Sequence, residues 1–337
     1  MTDDILLRGC QTTVNDVRKL LLQDSEWIDR YAHYGPIILK NCDEIISHKS
    51  KFREWKPLHV YMTVGAAKSN TQFSLRYLGQ DVAKLRVNKE FINISTIQHH
   101  KTNKRDFLCD IELDWADWKS KSASKFRKHF SNNPISSKAS GKGNEEHRIE
   151  SMLLGEFSKK AGVDKALWRI QPVKLAGIAR FQMPTPLSAS NVKEMKYAAA
   201  NGGGIDILTR IGKATKLCVM EVKDENTPKE PPSKVIKQAV AYATFVRELL
   251  RSKSGNHWWK VFGFKGELPK SLNLYVACVM PSSSQNDYTF AGKHICIESD
   301  KLHLHHLYFK EANGIVTDIE TSLRLCKINP AIAGKNC

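Results

Sequence analysis

The chain has 337 residues, of which 41% are hydrophobic and 26% charged, a balance that excludes an intrinsically disordered chain and leaves room for two domains. Fifty-two Lys and Arg against 35 Asp and Glu give a formal charge of +17, which favours a polyanionic partner, because cationic groups stay at the surface and neutralising phosphates releases counterions. No run of 18 apolar residues offers a membrane span, and the opening Met1-Thr2-Asp3-Asp4 lacks the basic-then-apolar pattern of a secretion signal, so the expected location is cytoplasmic.

Eight cysteines are scattered, with no CxxC pair and no histidine at zinc spacing. Cys218, Cys278 and Cys296 lie in apolar runs and read as small core residues, so neither disulfides nor structural zinc are expected.

Apolar residues at helical spacing, Val14, Val17, Leu20, Leu21, Trp27 and Ile28, predict an amphipathic helix from Thr13 to about Tyr34. Alternation then takes over from Leu58 to Thr96, with turn residues at Leu78-Gly79-Gln80-Asp81 and Asn88-Lys89-Glu90, predicting an antiparallel meander. Lys68, Arg76, Lys84 and Arg86 lie in that meander and offer a grip on substrate. Residues 1–130 are therefore expected to form an α+β accessory domain, binding substrate or regulating.

Between Lys119 and Asn144 there is no acid, while Lys119, Lys121, Lys125, Arg127, Lys128, Lys138 and Lys142 are all basic. Its Ser-, Asn-, Gly- and Lys-rich second part, 131–144, reads as a flexible basic linker. Lys119, Lys121, Lys125, Arg127 and Lys128 are candidate phosphate contacts, of the sequence-independent kind that lysine makes.

After the linker, 145–337 reads as helix (about Asn144 to Lys160), strand (Gly204 to Thr209), turn, strand (Lys216 to Lys223), helix (about Ser233 to Arg251) and strand (Leu272 to Met280). On the second of these strands, alternation puts Leu217, Val219, Glu221 and Lys223 on one face. A carboxylate and an ammonium ending an apolar strand are costly unless used. The hairpin carries Asp206 beside Glu221, just past Gly202-Gly203-Gly204, whose missing side chains permit a close backbone approach. Carboxylates so grouped suit a hard cation that keeps waters and takes phosphate oxygens. Lys223 is placed to orient or help deprotonate an attacking water.

Asp206 followed by Glu221-Val222-Lys223 resembles the PD-(D/E)XK nuclease superfamily, with Ile205 in place of the usual proline. The helix before supplies a family-like acid at Glu146 or Glu150, and the helix after carries Gln238-Ala239-Val240-Ala241-Tyr242, similar to the Q-x-x-x-Y signature of the helicase-associated branch. The resemblance covers about Asn144 to Met280. It implies a restriction-endonuclease-like α/β domain with a mixed central sheet flanked by helices. It also implies a catalytic set of Asp206, Glu221, Lys223, Glu146, Glu150, Gln238 and Tyr242, and metal-binding positions at Asp206, Glu221 and Val222. The implied cofactor is Mg2+, with Mn2+ as a substitute. The implied activity is phosphodiester hydrolysis, with double-stranded DNA the expected partner and a homodimer an open option. Two other readings stand beside it: a nucleic-acid-binding or assembly protein that keeps the fold without turnover, and an effector nuclease regulated through its N-terminal half.

Other polar groupings read more plainly. Asp110, Glu112 and Asp114 alternate like an exposed strand face, His303 and His305 like a partly exposed strand, and Trp258-Trp259 like core. The three glycines are not a phosphate loop, since no GK[ST] follows.

Overall fold

In a computed structural model, the protein is mixed α/β, and the structure describes residues 2–53, 55, 57–64, 71–97, 107, 109–132, 142–159, 170–189, 195–198, 202–212, 214–226, 230–312 and 314–323. The first helices are α1 (Thr2–Gln23), α2 (Glu26–Ile46) and α3 (Lys49–Arg53). The single helix expected from Thr13 to Tyr34 is thus two helices, broken where the Asp24 carboxylate accepts the Glu26 N–H at 3.1 Å. Apolar periodicity runs across such a break without registering it.

The meander is present as β1 (His59–Val64), β2 (Thr71–Tyr77), β3 (Gln80–Val87) and β4 (Ile92–Thr96), joined by β5 (Ala116–Asp117). Lys68 falls outside the described residues. Two elements occupy the basic stretch: α4 (Lys121–Asn132) and α5 (Lys142–Phe157). The expected linker at 131–144 is thus helical at both ends, 131–132 closing α4 and 142–144 opening α5; α4 forms because Ala123, Phe126 and Phe130 repeat at helical spacing and bury one face. Lys138 and the rest of 133–141 lie outside the described residues.

Short strands follow: β6 (Ile170–Pro172), β7 (Lys174–Leu175), β8 (Ala179–Phe181), β9 (Met183–Pro184), β10 (Leu187–Ser188) and β11 (Lys196–Tyr197). Next come β12 (Gly204–Ile205), β13 (Ile207–Ile211), β14 (Lys216–Val222), α6 (Pro232–Arg251), α7 (Gly255–Val261), β15 (Asn273–Pro281), β16 (His294–Ile297), β17 (Asp300–Ala312) and β18 (Ile315–Thr321). Among the described residues no helix is long and apolar enough to cross a membrane.

Two sheets organise these elements. The second runs β16-β17-β15-β14-β13-β6, with β18 on β17; β14, β15 and β17 are mutually parallel and their outer neighbours antiparallel. Its central strand β14 is buried from Leu217 through Val222, as a strand covered on both faces must be. Cys218, Met220 and Val222 share a core with Ile149, Leu153 and Phe157 of α5, whereas Leu217 and Val219 belong to the larger core that holds α6. Cys278 is buried as expected, but Cys296 points outward from the edge strand β16 and is exposed. Of the two histidines expected on a partly exposed strand, His303 is half-buried and His305 is buried on β17.

The first sheet runs β5-β4-β3-β2-β1-β8-β7, and β8 joins β1 in parallel register at Tyr61↔Arg180 and Met62↔Phe181. Strands from 174–181 therefore complete a sheet begun in 59–96, and the expected boundary at 131–144 does not separate the two sheets' strands. Aromatic packing joins the halves as well. Tyr31 lies 5.1 Å from Phe245 and 5.7 Å from Trp258 between ring centroids, and the Trp258 indole donates to the Tyr31 carbonyl at 2.9 Å.

The hairpin between β2 and β3 fixes α5 in place. Leu78 (φ 49°) and Gly79 (φ 80°) form a two-residue turn with both φ positive, the twist-matched type for antiparallel strands. A Cβ on Gly79 would stand 2.3 Å from the His147 carbonyl oxygen of α5. Gly79→Ala is expected to destabilise the protein by about 2–4 kcal/mol, combining turn strain with loss of this contact. Urea denaturation would read it as a lower midpoint, and an unchanged midpoint would show that the turn and α5 are not held together.

Candidate active site

The candidate site assembles where three elements meet. On β14 the chain ends with Glu221 and Lys223 facing the same way as Leu217 and Val219, and both are nearly inaccessible, at 1% and 6% exposure. Asp206 is the one residue between β12, which pairs with β9, and β13, which pairs with β14. Its Oδ2 accepts the Val222 N–H at 2.8 Å. A carboxylate thus takes a backbone donor at the strand break, fixing Asp206 against Glu221. Val222 enters the site through its main chain, for its side chain is buried in the α5 core.

From α5, Glu146 and Glu150 share a face at i and i+4. Glu146, Glu150 and Asp206 each offer an oxygen within 4.8 Å of the others, close enough to hold one metal ion. Both glutamates join this group, where the sequence left the choice between them open. Glu221 stands beside it, tied by Oε1 to Lys223 Nζ at 2.9 Å, and Nζ also donates to Glu146 Oε1 at 3.1 Å. Glu221 Oε2 is buried and has no hydrogen-bond partner among the described residues.

Four carboxylates against one ammonium set the electrostatics. Burial and then the charges of Glu221, Glu150 and Glu146 push Asp206 well above the usual aspartate range, against the pull of Lys223. Burial likewise raises Glu146, and it pushes Glu221 up to about 7 although Lys223 opposes it. For Lys223, burial works against the charged form, but Glu221, Asp206 and Glu146 outweigh it and hold its pKa above the ordinary lysine value. That direction keeps Lys223 an ammonium that donates to Glu221 and Glu146.

Gln238 and Tyr242 of α6 reach the same place. Tyr242 hydrogen-bonds Gln238, and burial followed by the Glu221 and Asp206 charges raises its phenol. Two of the three glycines are required here. A Cβ on Gly203 would stand 2.4 Å from the Tyr242 hydroxyl, and one on Gly202 would stand 2.3 Å from the Thr185 carbonyl oxygen.

His147 was not legible as a member of the site. Its Nδ1 lies 3.1 Å from Glu150 Oε1, a hydrogen bond that raises its pKa; the i,i+3 spacing to Glu150 was the available signal. Lys119, Lys121, Lys125 and Lys128 are exposed on or beside α4, which packs against β5. The structure does not place them in the acidic group. Arg127 is committed elsewhere, lying 3.9 Å over the Trp118 ring and donating to its carbonyl at 2.6 Å. Asp110, Glu112 and Asp114 lie in an irregular exposed segment, not on a strand.

Comparison of the chain with protein-family models, with curated proteins and with solved structures finds no match.

A carboxyl raised above its unfolded value stabilises the fold while protonated, a contribution lost as pH rises from Glu221's ordinary 4.5 to about 7. In EDTA, Glu221→Gln is therefore expected to be more stable than the wild type at pH 8 and equal to it near pH 4. Thermal melts across that range would test this, and parallel curves for the two proteins would contradict the desolvation of Glu221.

Proposed function

We propose that the chain is a divalent-metal-dependent nuclease of restriction-endonuclease-like organisation, with DNA as substrate and Mg2+ as cofactor. The observation that carries this reading is the meeting of Glu146, Glu150 and Asp206 within 4.8 Å beside the buried Glu221–Lys223 pair. An orphaned buried oxygen on Glu221 and an excess of three carboxylates over one ammonium fit a hard dication with oxygen ligands. Glu146, Glu150 and Asp206 would hold it, with Glu221 Oε2 as a further donor. When bound, such an ion polarises a phosphoryl oxygen and offsets charge that builds up in the transition state.

The chain's own groups supply the remainder. An ammonium has three donors, and Glu221 and Glu146 take two on Lys223. The third is available to orient an attacking water or to meet a phosphoryl oxygen, favouring the charge that develops during displacement. Asp206, fixed by the Val222 amide, and Glu150, fixed by His147, keep their oxygens in place before substrate arrives. The exposed lysines beside and on α4 add phosphate contacts without base readout.

Three experiments test this. Purified protein is expected to cleave plasmid DNA in Mg2+ or Mn2+ and not in EDTA. Lys223→Ala should lower cleavage by about 100-fold or more while gel-shift affinity stays within about twofold, because one cation among many adds little to phosphate binding. DNA binding without cleavage in either metal would instead fit a nucleic-acid-binding or assembly protein. Replacing Lys121, Lys125 and Lys128 together by Gln should weaken binding to all sequences alike and flatten its salt dependence by roughly 0.9 log unit per lost contact. An unchanged salt slope would remove α4 from the substrate path.

A further inference from the structure

The first sheet buries one face completely and the other only in part. Side chains alternate across it, and Val60, Met62, Phe73, Leu75, Leu85 and Ile94 enter the larger core on one side. The other side carries, in a single register row from β8 to β4, Arg180, Tyr61, Ser74, Lys84 and Ser95. At one end α5 covers this row, where Tyr61 packs with Ile149 and Leu153 and Arg180 donates to the Ser151 hydroxyl at 3.2 Å. Beyond α5 the side chains stand open: Lys84 and Arg86 are exposed, and Ser74, Asn93 and Ser95 are half-buried.

Charge and fixed geometry mark this open face. Arg76 is held by Asp81 at 2.7 Å, whereas Lys84 and Arg86 pair with no carboxylate among the described residues. Arg86 instead lies 3.6 Å over the Trp115 ring. Trp115 itself takes φ 47°, a conformation that a bulky side chain rarely adopts and that the surrounding structure must hold. A guanidinium laid on a ring keeps its fork of donors free for a planar anion. The ring face under Arg86 is closed to an unpaired base, and Trp115 is otherwise half-buried. The same face adjoins the acidic cluster. Its β2–β3 hairpin rests on the His147 carbonyl, and His147 and Glu146, with side chains 37% and 34% exposed, form the solvent side of the cluster. From that hairpin Lys84 and Arg86 lie roughly 15 and 20 Å along β3, at about 3.3 Å per residue.

We infer that the open face of the first sheet carries the nucleic-acid duplex that flanks the cut, with Lys84 and Arg86 meeting its backbone phosphates and Trp115 holding the Arg86 fork in place. The cut itself rests on the nuclease reading, while the surface needs only a polyanionic rod. Cations on phosphates fix orientation and carry no sequence information, so this face grips without reading bases. A duplex is the form that fits, because stacking of unpaired bases would need open ring faces. Past the β5 edge the face ends at the exposed Lys119, which leads into α4, so the lysines there extend the same path.

Fluorescence anisotropy of the full chain in EDTA, across a range of salt, with a DNA duplex of about 20 base pairs and with one of its single strands, tests this. The duplex is expected to bind more tightly. Lys84→Gln with Arg86→Gln should flatten the salt dependence of duplex binding by roughly 1.8 log units, two contacts at about 0.9 each. Lys265→Gln with Lys270→Gln removes the same charge from exposed positions elsewhere and should move the slope by less than about 0.3. Trp115→Leu should weaken binding about threefold in the wild type and leave it unchanged once Arg86 is Gln, because the ring acts through that side chain. An unaltered slope in the Lys84 and Arg86 variant, an equal loss in the control pair, or tighter binding of the single strand would each overturn the inference. An unaltered slope together with plasmid cleavage in Mg2+ removes this face and leaves the nuclease reading standing. A flattened slope with no cleavage in Mg2+ or Mn2+ removes the nuclease and leaves the face as a nucleic-acid-binding surface.

Discussion

The Lys223 ammonium is the group on which the candidate site depends. Its bonds to Glu221 on its own strand and to Glu146 on α5 tie the end of the central strand to the helix that crosses it. Without that cation, Glu146, Glu150, Asp206 and Glu221 would repel one another in a space with little water. With it, the set is still short of positive charge, as the upward shifts of Asp206, Glu146 and Glu221 record. A fold that keeps these acids beside one another gives up stability at neutral pH.

The surrounding architecture supplies the support this needs. The burial of β14 on both faces leaves Glu221 a single direction to point, toward α6 and the strand break at Asp206. On α5, one face carries Ile149, Leu153 and Phe157 into the core while another carries Glu146 and Glu150 to the site. Gly79 lets the first sheet's hairpin sit directly on the α5 backbone, so the helix is held from both sides. On the far side of the site, Gly203 admits the Tyr242 hydroxyl.

The parts of this arrangement that follow local periodicity were legible in the sequence. Alternation along 216–223 put Glu221 and Lys223 together, the hairpin brought Asp206 across, and the i,i+4 spacing put Glu146 and Glu150 on one face. Long-range pairing was not legible. Strands β7 and β8 are two and three residues long and show no alternation to mark them as part of a sheet more than 100 residues earlier in the chain. The break at Asp24 is marked by one side-chain hydrogen bond that periodicity does not register, and the outward turn of Cys296 depends on which face of an edge strand is covered. Composition suggested a tether across 131–144 because serine, asparagine, glycine and lysine dominate it, although α4 runs on through Asn132 and α5 begins at Lys142.

The parallel pairing of β1 with β8 bears on how such a chain can change over time. A strand from the second half lies inside the first half's sheet, and Tyr31 and Trp258 close the same seam from the helical side. The accessory region is therefore not a cassette that recombination could exchange by cutting at the basic stretch. A replacement would have to arrive with its own edge for β8, its own cover for α6 and its own glycine against α5. Change in the N-terminal half is thus confined to substitutions on its outer surfaces, with the frame beneath inherited together with the acidic cluster.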